Sequence, residues 1–94
     1  MKTSFTKYID FEVSAEDIDQ GLRGSVDCAV ARAITRCFGN VTVFIGTINR
    51  RVCIFCQDKL IAAYHLTDEL WDYVMNIDDG AEVKSTSFTL KRIA

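Results

Sequence analysis

The four cysteines and the single histidine are the residues whose types could do chemistry. Cys28, Cys37, Cys53 and Cys56, with His65, contain the ligand types of a structural zinc site, which needs two closely spaced pairs held on turns. Only Cys53-x-x-Cys56 has such a spacing. It falls inside a predicted strand, where residues three apart point to opposite faces. Cys28 and Cys37 likewise fall on opposite faces of a predicted helix. No metal or cofactor is expected, and Cys37, Cys53 and Cys56 read as small buried hydrophobes. Cys28 reads differently. Helical periodicity places it in a first turn, on the solvent side, one turn before Arg32, and both a helix N-terminus and a guanidinium favour thiolate. A nucleophile also needs a base. His65 lies far along the chain at a predicted strand end, so Cys28 is expected to be a structural or interface thiol, and the protein is not expected to be an enzyme.

A second constellation is cationic. Arg23 follows Gly21 in a Gly21-x-x-Gly24 corner, and Arg32 and Arg36 lie one turn apart on the outer side of the helix after it. Helix, glycine corner and arginine-bearing helix resemble a helix-turn-helix reader of DNA. Against that, the first helix would bring Glu16, Asp17 and Asp19 towards phosphates, and one arginine pair is a small footprint in a chain of net charge −2. The corner also resembles the backbone clamp of KH domains, without their flanking strands or basic loop. No phosphate-binding glycine loop and no paired catalytic carboxylates appear.

The elements that must position these residues follow in order. Residues 4–13 alternate, with Phe5, Ile9, Phe11 and Val13 on one face of a strand. Ser14 and Asp17 form a capping box that opens a short helix, with Ile18 and Leu22 inward and Gly21 and Gly24 closing it. Ser25 is the expected cap of a second helix, whose apolar face is Val26, Ala29, Val30, Ala33, Ile34 and Cys37, and Gly39 ends it. Strands follow over 41–48, 51–56 and 60–66, nearly continuous in apolar residues, with turns at Asn49-Arg50 and Gln57-Asp58-Lys59. Thr67 caps a third helix with Leu70, Val74 and Ile77 inward, which Asp78-Asp79-Gly80 ends. A last strand over 83–93 puts Phe88 and Leu90 inside.

Ninety-four residues with 49% hydrophobic content make one domain spanning 1–94. The order β-α-α-β-β-β-α-β predicts an α+β two-layer sandwich, an antiparallel sheet with helices on one face. A chain this small buries only about 60–65% of its unfolded surface, which makes a homodimer a natural supplement. No apolar run reaches the roughly 20 residues of a membrane span, and residues 1–10 lack a signal-peptide core, so a cytoplasmic protein without a membrane partner is expected. Charge is uneven. Residues 20–59 carry most of the arginines, whereas Asp68, Glu69, Asp72, Asp78, Asp79 and Glu82 fall in a stretch without lysine or arginine.

The run Glu16-Asp17-Ile18-x-x-Gly21-x-Arg23-Gly24, followed by Cys28-x-Val30-Ala31-x-Ala33-Ile34, resembles a motif of small bacteriophage and prophage accessory proteins. In these an Asp-Ile-x-x-Gly-x-x-Gly segment precedes a Cys-Pro-Ile-Ala-x-Ala helix, and Ala29 here replaces the proline. The resemblance implies a phage-encoded protein that binds and inhibits a host protein or nucleoprotein complex, such as a CRISPR effector, and implies no catalytic residues. The expected interaction surface is Arg23, Cys28, Arg32 and Arg36 with Arg50 and Arg51 of the hairpin tip. The acidic patch Asp68, Glu69, Asp72, Asp78 and Asp79 is the alternative surface. A nucleic-acid regulator using Arg32 and Arg36 is the alternative function.

Overall fold

The computed structural model describes residues 7–21 and 28–93. The elements follow the expected order: β1 (Tyr8–Val13), α1 (Ala15–Gln20), α2 (Ala29–Phe38), β2 (Thr42–Gly46), β3 (Arg51–Cys56), β4 (Lys59–His65), α3 (Asp68–Asp78) and β5 (Thr86–Lys91). The fold is α+β, and every strand pair is antiparallel.

The strands form two ladders rather than one uninterrupted sheet: β1 pairs with β5, and β2, β3 and β4 form a meander. A single bridge, Tyr64 to Arg92, joins them, and the Ile93 N–H donates to the Ala63 carbonyl at 2.8 Å. The last strand leaves β1 for β4 at this point, so the predicted strand over 83–93 is regular only at Thr86–Lys91.

Alternation decides what faces the core. Ile9, Phe11 and Val13 of β1, Phe88 and Leu90 of β5, Val43 and Ile45 of β2, and Val52 and Ile54 of β3 are all buried. Onto them pack Val30, Ala33 and Ile34 of α2 and Leu70 and Val74 of α3. Phe88 is the hinge of the α3 side: its ring centroid lies 5.8 Å from Phe11 and 5.1 Å, edge-on, from Tyr73. A bulge between Ile54 and Phe55 shifts the β3–β4 register, which turns Leu60 to the face opposite Ala62.

Turn chemistry explains the joints. Gln57 and Asp58 form a two-residue loop with positive φ at both positions (51° and 66°), the geometry that matches hairpin twist. Gly21 is required for a different reason. Its φ is an ordinary −68°, but a Cβ there would lie 2.7 Å from the Ala29 nitrogen and from the Asp17 carbonyl oxygen. Only glycine lets α1 end against the start of α2.

Candidate functional site

The two-helix strip is put together differently from its reading as an exposed surface. The Ser14–Asp17 capping box is present: the Asp17 N–H donates to Ser14 Oγ at 3.2 Å, and the Ser14 N–H donates to the Asp17 carboxylate at 2.9 Å. The Asp17 side chain is fully buried, and Arg36 reaches it from α2 with two bonds, Nη1 to Oδ1 at 2.6 Å and Nη2 to Oδ2 at 2.8 Å. Arg36 Nη2 also donates to the Glu12 carbonyl at 3.0 Å, tying α2 to β1. This fork holds the Asp17 carboxyl down at about 2 against its burial, which alone would raise it. Arg36 is therefore a structural cation. Arg32, 3.9 Å from Asp17 and partly exposed, is the looser of the two.

Cys28 corrects the expectation of an exposed thiol. The cap of α2 is Cys28, with extended backbone (φ −70°, ψ 167°) and its sulfur accepting from the Ala31 N–H at 3.5 Å. Helical phase does not extend to a residue outside the helix, so its side chain turns inward and is 1% exposed. Burial pushes its pKa up, the opposite of an activated thiolate. Cys37, expected inside, is exposed and donates weakly to the Ala33 and Asp10 carbonyls, while Cys53 and Cys56 are half-buried. Among the described residues no cluster of three or more His, Cys, Asp or Glu could hold a metal ion. Ser25 and Arg23 lie outside the described residues.

At the hairpin, Arg50 and Arg51 part company. Arg50 takes a left-handed φ of 58° and folds back onto α3, its guanidinium 4.4 Å from the Trp71 ring centroid and 2.8 Å from Asp68. The Trp71 Nε1–H donates to the Thr47 carbonyl, which fixes the loop to the same helix. One member of the basic set thus neutralises one member of the acidic set. Of the rest, Glu69, Asp72 and Asp79 are exposed, whereas Asp78 is partly buried with Oδ1 lacking a partner among the described residues. Arg51 remains exposed, opposite His65 in the β3–β4 register.

The feature that pattern reading passed over is the helix-free face of β2, β3 and β4. The register sets Phe44, Cys53 and Ala63 in one row, and Thr42, Phe55 and Leu60 in the next. Ile93 lies beside Ala63. Of the large apolar side chains left exposed, Phe44 (40%), Leu60 (52%) and Ile93 (47%) belong to this face, and Ile48 (100%) stands at the β2–β3 turn. Arg51 and His65 form one end of the platform. The signal was present in the strands themselves. Val52-Cys53-Ile54-Phe55-Cys56 is apolar on both faces, as in a sheet covered twice, yet the helices cover only one. Two open clefts flank the outer edge of β2. One of ≈ 510 Å³ lies among Arg32, Thr35, Arg36 and Val41–Val43, and one of ≈ 280 Å³ runs along Phe44–Asn49.

No family model matches this chain, and neither a curated protein nor a solved structure shows a significant similarity to it.

Proposed function

We propose that this chain is a non-enzymatic binding protein that docks onto another protein through the helix-free face of β2–β4. The uncovered apolar side chains carry this reading: Phe55 and Leu60 pair across β3 and β4, and Phe44 and Ile93 are exposed on the same sheet face, where soluble domains ordinarily place polar residues. Arg51 and Lys59 at the rim favour a partner whose apolar patch has acidic neighbours. The resemblance to phage accessory proteins supplies the class of partner, a host protein or defence complex such as a CRISPR effector, acting in the host cytoplasm. Arg36 is occupied by Asp17 and Glu12, so the alternative of a nucleic-acid regulator would rest on Arg32 alone.

The test compares variants against one partner. A stoichiometric complex from host extract should survive Arg32→Ala and Asp72→Ala and be lost with Leu60→Lys. Burying one leucine is worth about 1.5–3 kcal/mol, and 1.4 kcal/mol is a factor of ten in affinity. Retention of the partner by Leu60→Lys, or its loss with Arg32→Ala, would overturn the reading.

A further inference from the structure

We infer, resting on the docking face proposed for β2–β4, that the segment it takes from its partner is an acidic amphipathic helix laid across the strands. The carboxylates of that helix meet Arg51, His65 and Lys91. Its apolar stripe meets the row that runs from Phe44 to Ile93.

Register puts the basic residues in line. Arg51 pairs with His65. The Tyr64–Arg92 bridge, with the Ile93 N–H on the Ala63 carbonyl, sets Lys91 on the far side of His65. All three are exposed, whereas the alternating neighbours Val52, Tyr64 and Leu90 are buried towards the helices. None of the three has an ion pair among the described residues. Like charges set side by side across strands destabilise a sheet. Carboxylates laid over the row remove that cost.

The next row is apolar. Two residues along each strand, about 6.8 Å away, the same face carries Phe44, Cys53, Ala63 and Ile93. This row dips in the middle. Phe44 and Ile93 are 40% and 47% exposed, while Ala63 between them is fully buried without belonging to the core on the helical side. A large apolar side chain fits such a dip. The same side of β1 and β5 is polar by contrast, with Asp10 and Glu12 facing Thr89 and Ser87, as on an ordinary solvent face.

A basic row beside an apolar row calls for a segment with an acidic stripe beside an apolar one. Both rows run across strands that lie about 4.8 Å apart, close to the 5.4 Å rise of one helical turn. Residues on one side of an extended chain repeat every 6.8 Å or so, and soon lose step with the strands. Three turns of helix, about ten residues, span Phe44 to Ile93. A nucleic acid fits less well. Its phosphates would leave the short basic row for apolar residues on one side and for Asp10 and Glu12 on the other.

Display selection tests the chemistry without knowledge of the natural partner. Random segments of about 16 residues, some four turns, selected on the full chain should converge on Asp or Glu and large apolar residues spaced three and four apart. Selection on Arg51→Glu with Lys91→Glu should converge on Lys or Arg in place of the acids. The acidic peptide should bind this double variant at least about tenfold more weakly, with circular dichroism of the variant unchanged. No convergence, convergence without acids, an alternating pattern, or acids retained against the reversed charges would each overturn the inference. So would a single-stranded oligonucleotide that binds the native chain and is lost with the same reversal. Leu60→Lys separates this inference from the docking face itself. Peptides lost with Leu60→Lys but indifferent to the charge reversal would leave the face and remove the acidic helix. Peptides indifferent to Leu60→Lys would remove both.

Discussion

Residues that look reactive in isolation are here largely spent on holding the chain together. Asp17 is the clearest case, an acid in a short surface helix that becomes the buried anchor for Ser14, Arg36 and, more loosely, Arg32. Removing Arg36 would leave a buried carboxylate held only by Ser14 and, at 3.9 Å, by Arg32. Arg36→Ala should therefore cost about 3 kcal/mol, read from urea unfolding, while Arg32→Ala stays within about 0.5 kcal/mol. Acid should act on the same contact. The Asp17 carboxyl sits at about 2 when folded against 3.8 for the ordinary group. Its contribution, on the order of 2 kcal/mol, is thus complete above pH 5 and lost as pH falls through 3.8 towards 2. In Asp17→Asn the slope of stability against pH in that window should flatten. Cys28 makes the complementary case. In the native protein a thiol reagent at neutral pH should modify Cys37, Cys53 or Cys56 and leave Cys28 unlabelled until denaturant is added; mass mapping of the labelled peptides checks this.

Elements were legible where short-range physics decides them. The capping box at Ser14, the Thr67 cap with its acidic first turn, and the alternation of Ile9, Phe11 and Val13 all depend on neighbours within four residues. The start of α2 was not legible, because Ser25 and Asp27 give a cap signal as good as any, and the actual cap, Cys28, is a weak acceptor that composition does not favour. Cys28 is buried for the same reason: as the cap it lies outside α2 and does not share the helical phase that would face it to solvent. The resemblance motif takes on a physical meaning at this scale. Asp17 clamps α2, Gly21 permits the close approach to Ala29, Cys28 caps, and Val30, Ala31, Ala33 and Ile34 are core. It is a folding device for a two-helix corner. The β3–β4 turn supplies a prediction of its own. Gln57 and Asp58 both hold positive φ, which non-glycine residues adopt at a cost of about 1–2 kcal/mol each. Replacing them with Asn-Gly should stabilise the protein by about 1 kcal/mol, seen as a rise in thermal midpoint without change in fold.

At the scale of the molecule, the arrangement leaves two unlike faces. Helices α1, α2 and α3 cover one side of the strands with side chains that neutralise one another, as Arg36 does with Asp17 and Arg50 with Asp68. The other side is apolar and open, and β2 runs along its margin. Charge, part of it paired, therefore gathers on the helical side, and unmet apolar surface collects on the sheet side. That division makes ionic strength a sharp discriminator between modes of action. A nucleic-acid complex loses affinity steeply with salt, in proportion to the phosphates neutralised. A partner held on Phe55, Leu60 and Ile93, with Arg51, Lys59 and Lys91 at the rim, has few screened pairs to lose. Its dissociation constant should change by less than about tenfold between low salt and several times physiological salt, since rim pairs are worth about 0.2–1 kcal/mol each. Calorimetric titration across that range checks the expectation, with a negative heat-capacity change as the mark of apolar burial. A steep salt dependence without that heat-capacity change would move the binding surface from the sheet to the arginines of α2.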